Sequence, residues 1–256
     1  MWEHDAAKLF DNETNGGHTK RLAKVRNGKE FELKGRVYTD LTFQNRLVPN
    51  GVTARLTLTR ARPEFCLMAF EGDGQSYVAR ITYANLEVRK VKLAPEVQLD
   101  IEQRVLGGAG AHFPITHTVM KNFTIPAGYS THEIDGLFMG QRPYAVTLGF
   151  VRNSAFNGAW NRHPFRFNHF QLSCLSLSVD GKPVPSHPLE PNYGKGDYVD
   201  AYETLYKGSR MLGDDVSSGI RLADYPEGYC LYVFNLTPDK SDGHSHLSER
   251  KSGNVR

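Results

Sequence analysis

Ten histidines are the first candidates for chemistry, because imidazole is the commonest metal ligand among side chains. The nearest pairs are His112/His117, His163/His169 and His244/His246. None has i, i+4 spacing or a carboxylate placed as metal motifs require, so no metal site is expected. A glycosidic bond would need two carboxylates facing across a cleft. Glu203, Asp214, Asp215 and Asp224 are available, but their spacing specifies nothing. No Gly-x-Ser-x-Gly or P-loop is present. Gly107-Gly108-Ala109-Gly110 follows a helical pattern rather than a strand, which makes a weak phosphate cradle. Cys66, Cys174 and Cys230 are few, odd in number and far apart, so neither a zinc site nor a disulfide framework is expected. Reduced structural thiols fit best. No catalytic residue and no cofactor is expected, and the chain does not read as an enzyme.

The most unusual stretch is 155–170, AFNGAWNRHPFRFNHF. Its aromatic rings, amides and Arg could stack on a sugar or a base. The same composition, rich in aromatics and Arg and poor in carboxylates, is typical of protein interfaces. Asn157-Gly158 supplies a turn with positive φ. Interface roles are therefore expected for Phe156, Trp160, Phe165, Arg166 and Phe167, with Tyr202 and Tyr206 anchoring a nearby helix. A carbohydrate-binding or glycoside-active β-sandwich is the competing class.

Elements that would position these residues follow from hydrophobic period. Val52, Ala54, Leu56 and Leu58 alternate with Thr53, Arg55, Thr57 and Thr59, as in a strand with one buried face. Tyr144, Val146, Leu148 and Phe150 repeat the pattern. From 230 to 236 both faces are largely apolar, as in an interior strand. Further strands are expected at 30–38, 65–70, 77–93, 117–125 and 170–179. The runs 77–93 and 170–179 change parity, as a bulge or sheet corner does. Asp180-Gly181 marks a hairpin between 176–179 and 182–184. Pro183, Pro185, Pro188 and Pro191 make 181–196 an extended loop. Helical spacing is confined to 95–106, with Val97, Ile101 and Val105 on one face, and to 197–207, with Asp197 as N-cap. The reading is all-β with two short accessory helices.

Composition agrees. The 256 residues are 39% hydrophobic, 11% aromatic and 23% charged, against disorder. No apolar run approaches the ~18–20 residues that span a bilayer. The start, Met1-Trp2-Glu3-His4-Asp5, has no basic or apolar leader region, so a site of synthesis inside the cell and no membrane partner are expected. The net charge of +3 is too mild for a dedicated nucleic-acid binder, and no specific nucleic-acid partner is expected. One local excess, Lys20, Arg21, Lys24, Arg26 and Lys29, reads as a solvated basic segment or a polyanion contact.

Phe156-Asn157-Gly158 followed by HPFRFNH at 163–169 resembles a segment of the hexon-like major capsid proteins of Polinton (Maverick) elements and adintoviruses. Colinear matches continue the resemblance: KGRVYTDLTFQNRLVPNGV at 34–52, LEVRKVKL at 86–93, FTIPAG at 123–128 and VDGKPVP at 179–185. AYETLYKG at 201–208, DYPEGYCLYVFNLTPD at 224–239 and GNVR at 253–256 complete the set. No single motif is diagnostic; the ordered set carries the specificity. The resemblance implies a double jelly roll, two β-sandwiches side by side, that trimerises into pseudo-hexagonal capsomers of an icosahedral shell. It implies residues 1–94 as the later part of the first jelly roll, 95–110 as linker helix and connector, and 111–256 as the second jelly roll without its last strands. The expected fold is thus incomplete and the chain a fragment. Its expected partners are itself, as a homotrimer, and other capsid proteins such as a penton or minor capsid protein, in the virion capsid.

Overall fold

Asp180 and Gly181 both lie in the left-handed region, with φ of 51° and 78°. That geometry closes a two-residue hairpin, matching the twist of the strands it joins. Those strands are β3 (Ser178–Val179) and β4 (Lys182–Pro183), in register Ser178 to Pro183 and Val179 to Lys182. The computed structural model describes residues 16–43, 46–69, 77–110, 112–113, 115, 117–209, 211, 217–237 and 251–256. The other strands are β1 (Phe138–Gln141), β2 (Ala145–Gly149), β5 (Leu231–Asn235) and β6 (Ser252–Val255). The α-helices are α1 (Gly16–Val25), α2 (Asp40–Phe43), α3 (Pro63–Cys66), α4 (Pro95–Arg104), α5 (Asn153–Asn157) and α6 (Val199–Gly208).

Two compact units are present. The larger gathers Met1–Phe31, Ala61–Tyr77 and Phe123–Arg256; the smaller gathers Glu32–Arg60 and Val78–Asn122. All six strands of the described residues belong to the larger unit. One sheet has the order β1-β6-β3-β4 and the other pairs β2 with β5, and every pair of these strands is antiparallel. The fold is thus antiparallel β-sheet with short helices. The described residues hold six α-helices where two were expected, because α1, α2, α3 and α5 are of one to three turns in segments without a sustained apolar stripe.

The core of the larger unit follows from strand alternation. Tyr232 and Phe234 of β5, Val146 of β2, Val179 of β3 and Val255 of β6 are buried together with Leu137, Leu177, Leu189 and Leu236. Helix α6 adds Ala201 to the same cluster. It lies against β5, where the Val233 N–H donates to Thr204 Oγ1 at 3.4 Å. A Cβ at Gly208 would come within 2.5 Å of the Val233 carbonyl oxygen and 2.6 Å of its Cγ1, so the helix end can pass the strand only without a side chain there. β6 is tied by its register to β1 and by the Asn254 N–H, which donates to Asp180 Oδ1 at 2.8 Å.

The smaller unit departs from expectation. Among its described residues, the alternating runs around 30–38, 52–59, 77–93 and 117–125 contain no strand. Leu58 is 80% exposed and Tyr83 78%. Period-two alternation marks a face that wants burial, but a strand also needs a neighbouring backbone to complete its ladder, and among the described residues these segments pair with none. Local ties there are polar: Lys34 Nζ to Glu87 Oε2 at 2.7 Å, and an Arg60 guanidinium bond to the Ala79 carbonyl. The helix expected at 95–106 forms as α4, followed by a π-helical turn at Val105–Ala109. Its Val97, Ile101 and Val105 face is exposed.

Three local expectations also change in the larger unit. The strand at 65–70 is replaced by α3, since Pro63 presets the first helical turn and the Leu67 N–H returns to its carbonyl at 2.8 Å; Phe70 lies outside the described residues. The strand at 170–179 survives only as β3, because Phe170 and Gln171 turn left-handed at φ 46° and 55° and close back on His169. Asp197 is not the N-cap of α6. Its N–H donates to the Asn192 carbonyl at 2.9 Å, and Tyr198 takes the cap position.

Replacing Gly208 with Ala forces α6 off β5. A loss of about 1–3 kcal/mol in urea unfolding is expected, whereas Gly35→Ala, with open space around it, stays within ~0.5 kcal/mol. Equal effects at the two sites would remove the close-approach argument.

Candidate functional site

The aromatic segment is built outward from short local turns. Helix α5 follows Arg152 and ends at Gly158, whose φ is 90°. A Cβ at Gly158 would meet Glu64 Cβ at 3.2 Å, so α3 and α5 approach closely at this glycine. Beyond it, the Ala69 N–H donates to the Trp160 carbonyl at 2.8 Å, and Tyr77 meets the Trp160 ring edge-on at 5.9 Å. The Phe165 N–H donates to His163 Nδ1 at 3.1 Å, and the Phe165 ring packs edge-on against Phe65 at 5.5 Å. Even so, Phe165 remains 60% exposed and Phe156 45%. Both rings are thus apolar surface on a segment whose backbone is held by local bonds.

The underside of the segment joins the core. The Phe167 N–H donates to the Gly228 carbonyl at 2.9 Å, and the Phe167 carbonyl accepts from the Cys230 N–H at 3.1 Å. Arg166 has its Nε buried and without an acceptor. A buried donor left unpaired costs about 1–3 kcal/mol. His169 stacks face to face on Tyr193 at 4.1 Å, Tyr193 on Tyr198 at 5.4 Å, and Tyr198 on Tyr225 at 6.3 Å. Each such pair adds about 0.5–1.5 kcal/mol beyond its burial. The stack ties the segment to α6 through the proline-rich loop.

Several tyrosine hydroxyls in and beside this stack are paired. Tyr193 and Tyr232 share a hydrogen bond of 2.7 Å. Tyr206 donates to the Ile220 carbonyl at 2.9 Å, and the Tyr202 hydroxyl lies 2.8 Å from the same oxygen. Burial raises Tyr193 and Tyr225 well above the ordinary phenol pKa and pushes Tyr232 up to about 12. Burial likewise pushes the Cys230 thiol up to about 12, while its Sγ–H donates to the Tyr225 carbonyl at 3.2 Å. Burial lowers the pKa of His169 and favours the neutral ring. These groups are held protonated or neutral, a state suited to packing rather than to acid–base work.

The expected interface residues therefore occupy different places. Phe156 and Phe165 are exposed; Trp160, Arg166 and Phe167 are half-buried. Tyr202 and Tyr206 turn their hydroxyls inward onto Ile220, fastening α6 to the 217–220 segment. Sequence reading missed Phe65 and Tyr77 as ring partners, and Tyr193 as the centre of the stack. The only sign of Tyr193 was its place in a loop fixed by four prolines. Of the carboxylates, Glu203 pairs with Lys207 at 2.7 Å and Asp224 with Arg221 at 2.7 Å. Asp214, Asp215, His244 and His246 lie outside the described residues. Among the described residues, no group of three His, Cys, Asp or Glu side chains is placed to hold a metal ion. No described helix is long and apolar enough to cross a membrane.

The chain is 21% identical over 215 residues to an uncharacterized protein of Caenorhabditis elegans, a match covering 83% of this chain and 51% of that protein. It spans about half the length of that relative. No family model and no solved structure matches the chain.

Raising the pKa of Cys230 and Tyr232 in the folded state makes stability depend on pH. Their contribution is whole below the ordinary values of 9.0 and 10.0 and is lost as pH rises toward about 12. Urea unfolding between pH 8 and 12 should show a fall of a few kcal/mol beginning near pH 9. At neutral pH a thiol reagent should label the exposed Cys66 and Cys174 and reach Cys230 only after unfolding. A flat alkaline profile, or rapid labelling of Cys230, would contradict the burial described.

Proposed function

We propose that the chain is a structural shell subunit: part of a double jelly roll that acts by symmetric self-association into trimeric, pseudo-hexagonal capsomers of a virion capsid. The observation that carries this reading is the colinear series of capsid-like segments from 34–52 through HPFRFNH at 163–169 to GNVR at 253–256. Antiparallel sheets packed on an apolar core are the material such a wall requires. The exposed rings of Phe156 and Phe165 and the half-buried Trp160 and Arg166, all on one segment, have the composition that subunit interfaces use. The alternating segments of the smaller unit, with Leu58, Tyr83 and Leu86 facing outward, supply strand sequences that gain a ladder when further backbone is added. A subunit of this kind acts by geometry and needs neither catalysis nor a cofactor.

Multi-angle light scattering of a full-length version that contains this chain should report a trimer at micromolar concentration. A stable monomer would overturn the reading. Phe165→Ala combined with Trp160→Ala should weaken the trimer by at least 2 kcal/mol, as hot-spot aromatics do, and lower monomer stability by less. The reverse order would assign both rings to the fold alone. A glycan array that shows binding lost on Trp160→Ala would replace the shell role with a carbohydrate-binding one.

A further inference from the structure

The aromatic segment ends in a turn that its residue types do not favour. The Leu172 N–H donates to the His169 carbonyl at 2.8 Å, and the two residues between, Phe170 and Gln171, both have positive φ, 46° and 55°. A turn of that kind ordinarily takes Gly, Asn or Asp at its centre. Two non-glycine residues hold such a conformation only where the surroundings over-determine it. The added constraint is a side chain: the Gln171 N–H donates to His169 Nδ1 at 3.0 Å. The same ring stacks on Tyr193 at 4.1 Å, so one imidazole fastens both the turn and the proline-rich loop. The bond to Nδ1 exists in one protonation state. Neutral imidazole with its proton on Nε2 offers the Nδ1 lone pair, whereas imidazolium carries N–H at both nitrogens and accepts nothing.

We propose that His169 is a proton-sensitive latch: one proton taken from solvent at Nδ1 expels the Gln171 N–H, opens the 169–172 turn and releases that end of the aromatic segment from the tyrosine stack. Two titratable groups bear on the ring. Tyr193 lies against its face with its phenol raised well above the ordinary value, so it stays neutral while the imidazole titrates. Glu227, in the 225–227 turn, favours the imidazolium, but burial opposes it more strongly and the pKa lies below the ordinary 6.5. The latch is therefore closed at neutral pH. Its contribution to stability is whole above 6.5 and is lost as pH falls through the lowered value. The bonds further back, from the Phe167 N–H to the Gly228 carbonyl and from the Asn168 N–H to the Phe150 carbonyl, contain no titrating atom, so opening is confined to 169–172. The proposal does not rest on the shell reading, since a monomer would titrate in the same way.

NMR of the full chain from about pH 8 down to about 4.5 tests it, with the Cε1 shift of His169 reporting the ring and amide hydrogen exchange reporting the turn. Protection of the Gln171 amide should fall by roughly three- to tenfold as the ring protonates, the weight of one neutral hydrogen bond. The Phe167 and Asn168 amides should keep theirs. His169→Asn supplies a side-chain oxygen that does not titrate and can accept the N–H two residues on. Gln171 protection in that variant should be high and the same at both ends of the range. His169→Ala should show the low, acid-like value throughout. The proposal fails if Gln171 protection is equal in the two states of the ring, or if the ring stays neutral to about pH 4.5. It fails equally if His169→Asn keeps the pH dependence, or if Gln171 opens only together with Phe167 and Asn168, as in global unfolding.

Discussion

Burial of one strand on both of its faces is the constraint from which the larger unit takes its form. Tyr232 and Phe234 of β5 point into the core, while Val233 between them meets α6. A two-stranded ribbon such as β2–β5 is marginal in water by itself. Helix α6 makes it viable by covering Val233 and offering Thr204 Oγ1 to the strand's N–H. An edge closed by a helix no longer invites a foreign strand. Gly208 is what allows the two backbones to come so near.

The tyrosine stack extends that constraint to the surface. Tyr232 cannot be buried cheaply unless its hydroxyl finds a partner, and Tyr193 provides one from the proline-rich loop. Tyr193 in turn presents a flat face to His169, at the end of the aromatic segment. The exposed rings of Phe156 and Phe165 consequently stand on a chain whose underside is fixed to the core at Phe167 and His169. Exposed apolar area on a rigid support loses little entropy when covered, which is what a contact surface needs.

Sequence was readable where the information is local. The Asp180-Gly181 hairpin, the two-faced apolar strand ending near Leu236 and the helices α4 and α6 follow from residue type and spacing, whereas α1, equally ten residues long, was not expected. It was less readable where a partner decides. Val52 to Leu58 alternate as well as Val146 to Leu148, yet only the second run meets a neighbour, β5. Phe170-Gln171 shows a different limit: consecutive non-glycine residues adopt positive φ because His169 accepts the Gln171 N–H, a choice no pattern of hydrophobicity records. In the aromatic segment, composition identified the unusual stretch but not which rings face out. Phe165 and Phe167 differ by two residues and have opposite roles, one at the surface and one bonded to Gly228 and Cys230.

The position of β6 inside its sheet has a consequence in time as well as in space. It lies between β1 and β3, so Val255 is matched to both Phe138 and Val179 across long stretches of chain. Closing such loops costs entropy before any ladder bond compensates, and topologies dominated by distant pairings fold slowly. The β3–β4 hairpin and α6, by contrast, are built from neighbours close in sequence. The four-stranded sheet becomes continuous only when Ser252–Val255 arrives. Without it β1 and β3 would present open edges, the kind of surface on which a foreign strand can add.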